Sequence, residues 1–393
     1  MPHKHPLIFI SAAEQSADNH GAALIRATLA RCPNARFVGV AGPQMTHAGC
    51  ESIYDMTAHS AMLLGSMRIA GRAAAMLRTV NHHLRTYPFD AAVLIDSPVL
   101  HLRVARRASG AGVPVLYYIA PQLWAWGAGR ISKLRNWVDC LAVILPFEEE
   151  YFRSRGVTAT FVGHPLAERI ADCGGDEGTV DAIRARGAPV IAMLPGSRRQ
   201  VVREVLPGQL RVGAAIASAY SSATFGVSVA NPHVEPIIRS IVADSSLHVR
   251  LHAHDHTELI RAADLVLVAS GTSTLEVGLH RRPMIVMYNA SRMFYQLIGR
   301  WMIRTPYLSL PNILAGGEIV PEFMPYYRST EPIAARAIEL LESPGAREQM
   351  LQTLQAVVEP LRLHRPSERT AALLLDLVAR RRAAQGVSAE PAA

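Results

Sequence analysis

The sequence predicts an α/β protein of two domains, each a parallel sheet with helices on both faces. Three observations point there. The chain has 393 residues, 50% of them hydrophobic and 18% charged, enough for two domains at roughly 100–200 residues each. Short continuous apolar runs alternate with longer helical patterns, as parallel strands buried on both faces require. The alternation stops once, at the polar stretch Cys173-Gly174-Gly175-Asp176-Glu177-Gly178, and then restarts.

Leu7–Ile10 reads as the first strand, leading through a small polar loop into a helical pattern from Gly21. Further strands are expected at Phe37–Val40, Ala92–Ile95, Val115–Ile119 and Leu141–Leu145, with helices between them at Arg68–Leu84 and Leu100–Ser109. Ala171–Gly187 reads as a linker. Strands resume at Val190–Leu194, Thr224–Val229, Val249–Leu251, Leu265–Ala269 and Met284–Met287. A helical stretch runs from about Pro332 to Arg382, broken at Pro344 and Pro360, and the residues from Gln385 are expected to fray. The boundaries are thus a first domain at 1–168, a linker at 169–188, a second domain at 189–345, C-terminal helices at 346–384 and a tail at 385–393.

The apolar fraction excludes a disordered chain, and the mixed composition excludes collagen-like and coiled-coil classes. No run approaches the ~20 apolar residues needed to cross a bilayer, and Met1–Pro6 leads straight into a strand with no secretory leader. A soluble or peripheral protein made in the cytoplasm is expected. Cys32, Cys50, Cys140 and Cys173 are scattered, which fits a reduced compartment without structural zinc. The net charge of +8 fits an anionic partner (phosphate, nucleic acid or an acidic membrane face) and fits a merely basic soluble protein equally well.

Ligands of open parallel sheets bind beyond the carboxyl ends of the strands, so the loops after Ile10, Ile95, Ile119, Leu194 and Ala269 are the candidates. Two such sheets face to face would form a cleft. Pro195-Gly196-Ser197-Arg198 follows a strand and opens a helix, whose free N–H groups and positive dipole end suit a diphosphate, with Arg198 adding a fork. An ordinary turn with surface arginines is the alternative. Ser270-Gly271-Thr272 repeats the arrangement, with Glu276 one turn on, placed either for ribose hydroxyls or as a solvated first-turn acid.

The first loop, Ser11 to Gly21, lacks a dinucleotide fingerprint. It carries Glu14, Asp18 and His20, groups able to orient sugar hydroxyls or take a proton, although Ser16 or Asp18 could instead cap a helix. Asp96 ends another strand of the same domain. Trp124 and Trp126 could shape an acceptor pocket or act as structural anchors. His252, His254, Asp255 and His256 alternate at a strand end, and a structural reading is preferred there to a metal. Arg292–Arg304 and Met67–Leu84 have the composition of membrane-surface helices or of core helices with basic flanks.

As a set, the motifs resemble the lipid-A-disaccharide synthase family (glycosyltransferase family 19). They are Pro121-Gln122-Leu123-Trp124-Ala125-Trp126, Leu145-Pro146-Phe147-Glu148, Gly163-His164-Pro165-Leu166-Ala167, Leu194–Arg198, Ala269–Thr272 with Glu276, and Ser309–Gly316. The resemblance implies a GT-B fold, two Rossmann-like doubly wound domains facing a central cleft, with the first on the acceptor side, the second binding UDP-sugar and the C-terminal helices returning to the first. It implies UDP-2,3-diacylglucosamine as donor, 2,3-diacylglucosamine 1-phosphate as acceptor, an inverting β-1,6 transfer, and neither metal nor cofactor. It also implies a peripheral place on the inner face of the cytoplasmic membrane against anionic lipid. Nucleic acid is no partner, and homodimer formation is left open.

The family's first loop usually reads Ala-Gly-Glu-x-Ser-Gly-Asp; alanines stand here at Ala13 and Ala17, with Glu14, Ser16 and Asp18 kept. A second aspartate expected after Asp96 is Val99, a glutamate is Val201 and a glutamine is Pro325. With Val99 unable to take a proton, the base must be another first-domain group: Asp96 is favoured, with Asp18, Glu14 and His101 as the other catalytic candidates. The nucleotide-sugar set is Gly196, Ser197, Arg198, Ser270, Gly271, Thr272, Glu276, Asn312 and Glu322; the acceptor set is Ser16, Trp124 and Trp126. The alternatives are a related transferase with another acceptor, a UDP-sugar 2-epimerase, or a non-catalytic nucleotide-sugar binder.

Overall fold

The computed structural model describes residues 5–55, 66–125, 127–289 and 306–386. The chain divides into two compact units: Met1–Glu168 together with Leu361–Ala393, and Arg169–Pro360.

The first unit is built on strands β1 (Leu7–Ala12), β2 (Arg36–Val40), β3 (Cys50–Tyr54), β4 (Ala91–Ile95), β5 (Val115–Tyr118), β6 (Cys140–Val143) and β7 (Ala159–Phe161). They pair in parallel in the order β3-β2-β1-β4-β5-β6-β7. Successive side chains of a strand point to opposite faces, and β1 shows both faces buried. Ile8 and Ile10 join Leu24, Ile25, Leu374 and Val378 on one side, while Leu7 and Phe9 join Met76, Val80, Val104 and Leu134 on the other. The helices Gln15–Arg31 and Pro366–Ala384 supply the first layer, and Ser66–Thr86, Pro98–Gly110 and Ile131–Trp137 the second. This is why the strands read as continuous apolar runs.

The second unit repeats the plan with β8 (Val190–Leu194), β9 (Thr224–Ser228), β10 (Arg250–His252), β11 (Leu265–Ala269), β12 (Met284–Met287) and β13 (Glu322–Phe323). Their order is β10-β9-β8-β11-β12-β13, again parallel throughout. In both sheets the chain winds outward one way from the first strand and then returns to wind the other way. The strand order therefore reverses between β1 and β4, and between β8 and β11.

Several expectations need correction. The stretch 169–188 is not a bare linker. The helix Pro165–Cys173 covers its start, and Asp176 caps a further helix, Glu177–Arg184, by accepting from the Gly178 and Thr179 N–H groups. Val180 and Ile183 then pack with Val190 and Ala262, which a flexible tether would leave in water. Pro344 does separate two helices, but Pro360 lies inside the helix Pro344–Arg362, so close to its end that little helix remains to be disrupted. Residues 346–360 count with the second unit, and the chain rejoins the first at Leu361. For residues 67–84 the core alternative holds where side chains are described: Met76, Leu77, Val80 and Leu84 of the helix Ser66–Thr86 are buried. The stretch 292–304 lies outside the described residues. No helix among the described residues is long and apolar enough to cross a membrane.

Candidate active site

The two reversal points are where an open α/β sheet forms its binding crevice. In the second unit the loop after β8 turns at Gly196, whose φ of +99° is left-handed backbone that favours glycine. A Cβ there would come within 3.1 Å of Val201 Cγ1 and 3.7 Å of Ala269 Cβ, so this loop lies against the end of β11. Ser197 and Arg198 are exposed, and the helix Arg199–Ala219 begins without a side-chain cap. Asn231, from the loop after β9, donates to the Ser197 carbonyl at 3.0 Å and pins the turn. Beside it, Gly271 (φ +147°) and Thr272 are exposed at the start of a second uncapped helix, Thr272–Leu279. Two helix N-termini thus present unclaimed N–H groups at neighbouring strand ends, with Arg198 at one of them, a favourable field for a diphosphate. Tyr288, just past β12, feels the charges of both Arg198 and Glu204; its hydroxyl pKa is raised, chiefly by burial.

Glu276 is buried behind these loops. Arg169 Nη2 donates to its Oε1 at 3.0 Å and His256 Nε2 to its Oε2 at 3.2 Å. Burial works against its charge, but the His256 hydrogen bond and the nearby His256, Arg169 and His280 charges outweigh it and hold the carboxyl below its ordinary pKa. Neither partner was assigned here from sequence: Arg169 stands 107 positions away, and His256 drew notice only within the His252–His256 run. That run diverges, because His252 Nδ1 meets Asp255 Oδ2 at 2.6 Å while His256 turns to Glu276. Among the described residues no cluster of three or more metal-ligating side chains forms.

Asn312 and Glu322 do another job than contacting a nucleotide through their side chains. Asn312 is 0% exposed, and its amide is saturated: Nδ2 donates to Val320 O and Glu322 Oε2, and Oδ1 accepts from Ile319 N and Val320 N. Glu322 accepts in addition from Leu308 N (2.8 Å), Ser309 N (3.0 Å) and Ser309 Oγ (2.7 Å). The pair ties β13 to the 308–312 segment, whose Leu308 carbonyl lies 3.5 Å from Ser270 Oγ. They position the wall beside the Ser270 loop.

In the first unit, Asp96 stands at the end of β4, beside the loop that leaves β1 at Ala13 and Glu14. Asp96 and Ser97 both adopt left-handed backbone (φ 52° and 48°), at a cost of order 1 kcal/mol each. Two donors hold the Asp96 carbonyl there, His101 Nδ1 at 2.7 Å and Tyr117 OH at 2.6 Å. A carbonyl can only accept, so Nδ1 carries the proton and Nε2 accepts from Ser11 Oγ at 2.9 Å. Burial lowers the His101 pKa to about 4, so the ring is neutral at pH 7 and both nitrogens are engaged. His101 therefore restrains the Asp96 backbone, with both of its ring nitrogens engaged. The Asp96 carboxyl is raised by burial, with the Ser97 backbone hydrogen bond opposing.

Asp18 is 1% exposed, and its carboxylate accepts from Gly42 N (2.9 Å), Gln44 N (2.8 Å) and Met45 N (3.1 Å), closing the start of the helix Pro43–His47. The expected cap of its own helix is not formed, since Ser16 and Asp18 lie inside Gln15–Arg31, which starts without a side-chain cap; Asp18 serves the start of another helix instead. Glu14 and Ser16 are exposed at the start of the helix Gln15–Arg31. Trp124 is an anchor: its Nε1 donates to Glu148 Oε1 at 2.9 Å and its ring meets Phe147 edge-on. Glu148, buried and also accepting from Leu145 N and Ile144 N, has its pKa raised by burial to about 7. Trp126 lies outside the described residues.

The profile of the lipid-A-disaccharide synthetase family matches residues 8–374, nearly the whole chain. The chain belongs to that family. A lipid-A-disaccharide synthase of Geobacter sulfurreducens is 34% identical over 376 residues, 94% of this chain and 97% of the relative. One of Anaeromyxobacter sp. (strain K) is 38% identical over 370 residues, 89% and 92% of the two chains. Among solved structures, a Neisseria meningitidis UDP-GlcNAc 2-epimerase bound to UDP-GlcNAc aligns with a TM-score of 0.59 at 13% identity, covering 96% of this chain and 100% of the other. An S. aureus MnaA–UDP complex aligns at 0.60 and 11%, covering 99% of both. At such identity these neighbours show the fold alone: two Rossmann-like domains of the GT-B kind. A member of the lipid-A-disaccharide synthase family is a glycosyltransferase, and the epimerase alternative has only this shared fold behind it.

Proposed function

We propose that this protein transfers 2,3-diacylglucosamine from UDP to the 6-hydroxyl of 2,3-diacylglucosamine 1-phosphate, forming the β-1,6 disaccharide with inversion and releasing UDP. The supporting observation is the family match along nearly the whole chain, with both candidate loop sets standing at the strand-order reversals of their sheets. The acceptor oxygen forms its bond to the anomeric carbon while the bond from that carbon to the diphosphate breaks. Asp96 takes the hydroxyl proton, burial making its carboxylate more basic than a solvated one. The exposed helix start at Ser197 and Arg198, with Gly271 and Thr272, takes up the charge developing on UDP. Glu276, held by Arg169 and His256, faces the ribose hydroxyls. Glu14 and Ser16, exposed beyond β1, orient the acceptor sugar. The net charge of +8 supports work at the anionic inner face of the cytoplasmic membrane.

The test is turnover in detergent micelles, with mass spectrometry for the disaccharide phosphate and a parallel assay for UDP. Equal amounts of both products are expected. UDP binding without disaccharide would move the search to another acceptor or to a non-catalytic binder.

A further inference from the structure

We propose that the groove along the helix Pro98–Gly110 seats the phosphate and acyl portion of the acceptor; this rests on reading the acceptor as an acylated sugar 1-phosphate. The groove holds about 490 Å³, within the roughly 300–1,000 Å³ usual for a small-molecule site. Leu102, Arg103 and Arg106 follow Val99 three, four and seven positions along one helix face, a stripe about 10 Å long at ~1.5 Å per residue. Its apolar floor is Val99, Leu102 and the ring of Trp137; its walls are Arg103, Arg106, Arg107, Arg130 and Lys133. No acid lines it among the described residues. A second hollow of about 300 Å³ continues past Arg106 and Arg107 to Arg85, again without an acid.

The chemistry of that lining selects its occupant. With no carboxylate in the lining, Arg103, Arg106, Arg107 and Lys133 call for an anion, and arginine forks match phosphate oxygens. Val99 is 67% exposed, and with Trp137, which has Arg106 at 6.0 Å from its ring centroid, it needs an apolar cover. A nucleotide would leave the floor in water, and a neutral lipid would bring no charge to match those four cations. One lipid anion satisfies both. The groove begins at Pro98, two residues beyond Asp96, so the lipid anion it holds is the acceptor, with its sugar toward Asp96 and its phosphate toward the arginines.

The experiment compares wild type with the double variant Arg103→Gln/Arg106→Gln in detergent micelles, using 2,3-diacylglucosamine 1-phosphate and the same lipid without its phosphate. The expected result is a rise in KM for the phosphorylated acceptor of about tenfold or more, as loss of charged hydrogen bonds predicts. The donor KM and the unfolding temperature stay unchanged, and the phosphate-free lipid does not distinguish the two proteins. An unchanged acceptor KM, or an equal loss with both lipids, overturns the proposal. A variant that loses only its binding to phosphatidylglycerol vesicles also overturns it, making the groove a membrane contact. Equilibrium binding of the phosphorylated lipid is measured in parallel. If wild type makes no disaccharide but binds that lipid better than the variant, the function proposed above falls and the groove stands; equal binding sinks the groove.

Discussion

Asp96 and Asp18 are both strand-end or loop carboxylates of the first unit, and the sequence offers both as candidate bases. The folded chain separates them by their neighbours. Asp18 has three backbone N–H donors on its oxygens, whereas the carboxyl of Asp96 is desolvated and its backbone is what His101 and Tyr117 restrain. Asp96→Asn should therefore cut kcat by about 10²–10⁴ with UDP affinity intact, because asparagine tolerates left-handed backbone as aspartate does. The acid limb of the kcat/KM profile should lie above the ordinary aspartate range, since a base must be deprotonated and burial raises its pKa. Asp18→Ala should instead lose about 3 kcal/mol of stability in denaturant unfolding, with folded protein retaining turnover; a kinetic collapse at native stability would reverse the two assignments. Position along the chain made Asp96 visible beforehand. Its left-handed backbone is held by His101 and by the more distant Tyr117, and the saturation of Asp18 depends on Gly42, Gln44 and Met45, a strand away, pairings that no local pattern encodes.

At the scale of elements, buried strands were the most legible. Val190–Leu194, Leu265–Ala269 and Met284–Met287 match their expected bounds residue for residue, because a strand covered on both faces must be apolar throughout. The strands no pattern announced were β3, whose Glu51 and Ser52 are exposed, β7 with three residues and β13 with two; each sits at a sheet edge and is defined by its backbone ladder alone. β13 matters because Glu322 fastens it to the 308–312 segment beside Ser270. Glu322→Ala should lower the unfolding temperature of the second unit and raise the UDP dissociation constant about tenfold. Arg198→Ala should raise that constant comparably and leave the unfolding temperature alone, its side chain being exposed. Calorimetry with titration of UDP separates the two behaviours; an unaltered unfolding temperature in Glu322→Ala would return that carboxylate to the nucleotide contacts.

At the scale of the molecule, the first unit is discontinuous in sequence. Its last helix, Pro366–Ala384, covers one face of the sheet through Ala371, Leu374 and Val378. Arg382 meets Asp90 with Nε at 3.0 Å and Nη2 at 3.1 Å, while Asp90 also accepts from Leu7 N at 2.8 Å. Arg382→Ala would leave a buried carboxylate uncompensated, with an expected loss of about 3 kcal/mol in the unfolding of the first unit. Ending the chain after Pro360 should abolish that transition and leave UDP binding by residues 169–360 within about twofold, as expected of separate folding units. If UDP binding vanishes with it, the second unit does not fold alone. A return of helices was readable from the family resemblance. Where it begins was not, since Pro360, which looks like a break, sits inside a continuous helix.

That discontinuity has a consequence during synthesis. Residues 169–360 are contiguous and can fold as soon as they leave the ribosome, whereas residues 5–168 must wait for the helix Pro366–Ala384. At ~5–20 residues per second the wait is roughly 10–40 s. Throughout it the nascent sheet carries a partly uncovered apolar face and an Asp90 without its arginine. The half of the protein made first is thus the half finished last, and it is the natural client for a chaperone on the growing chain.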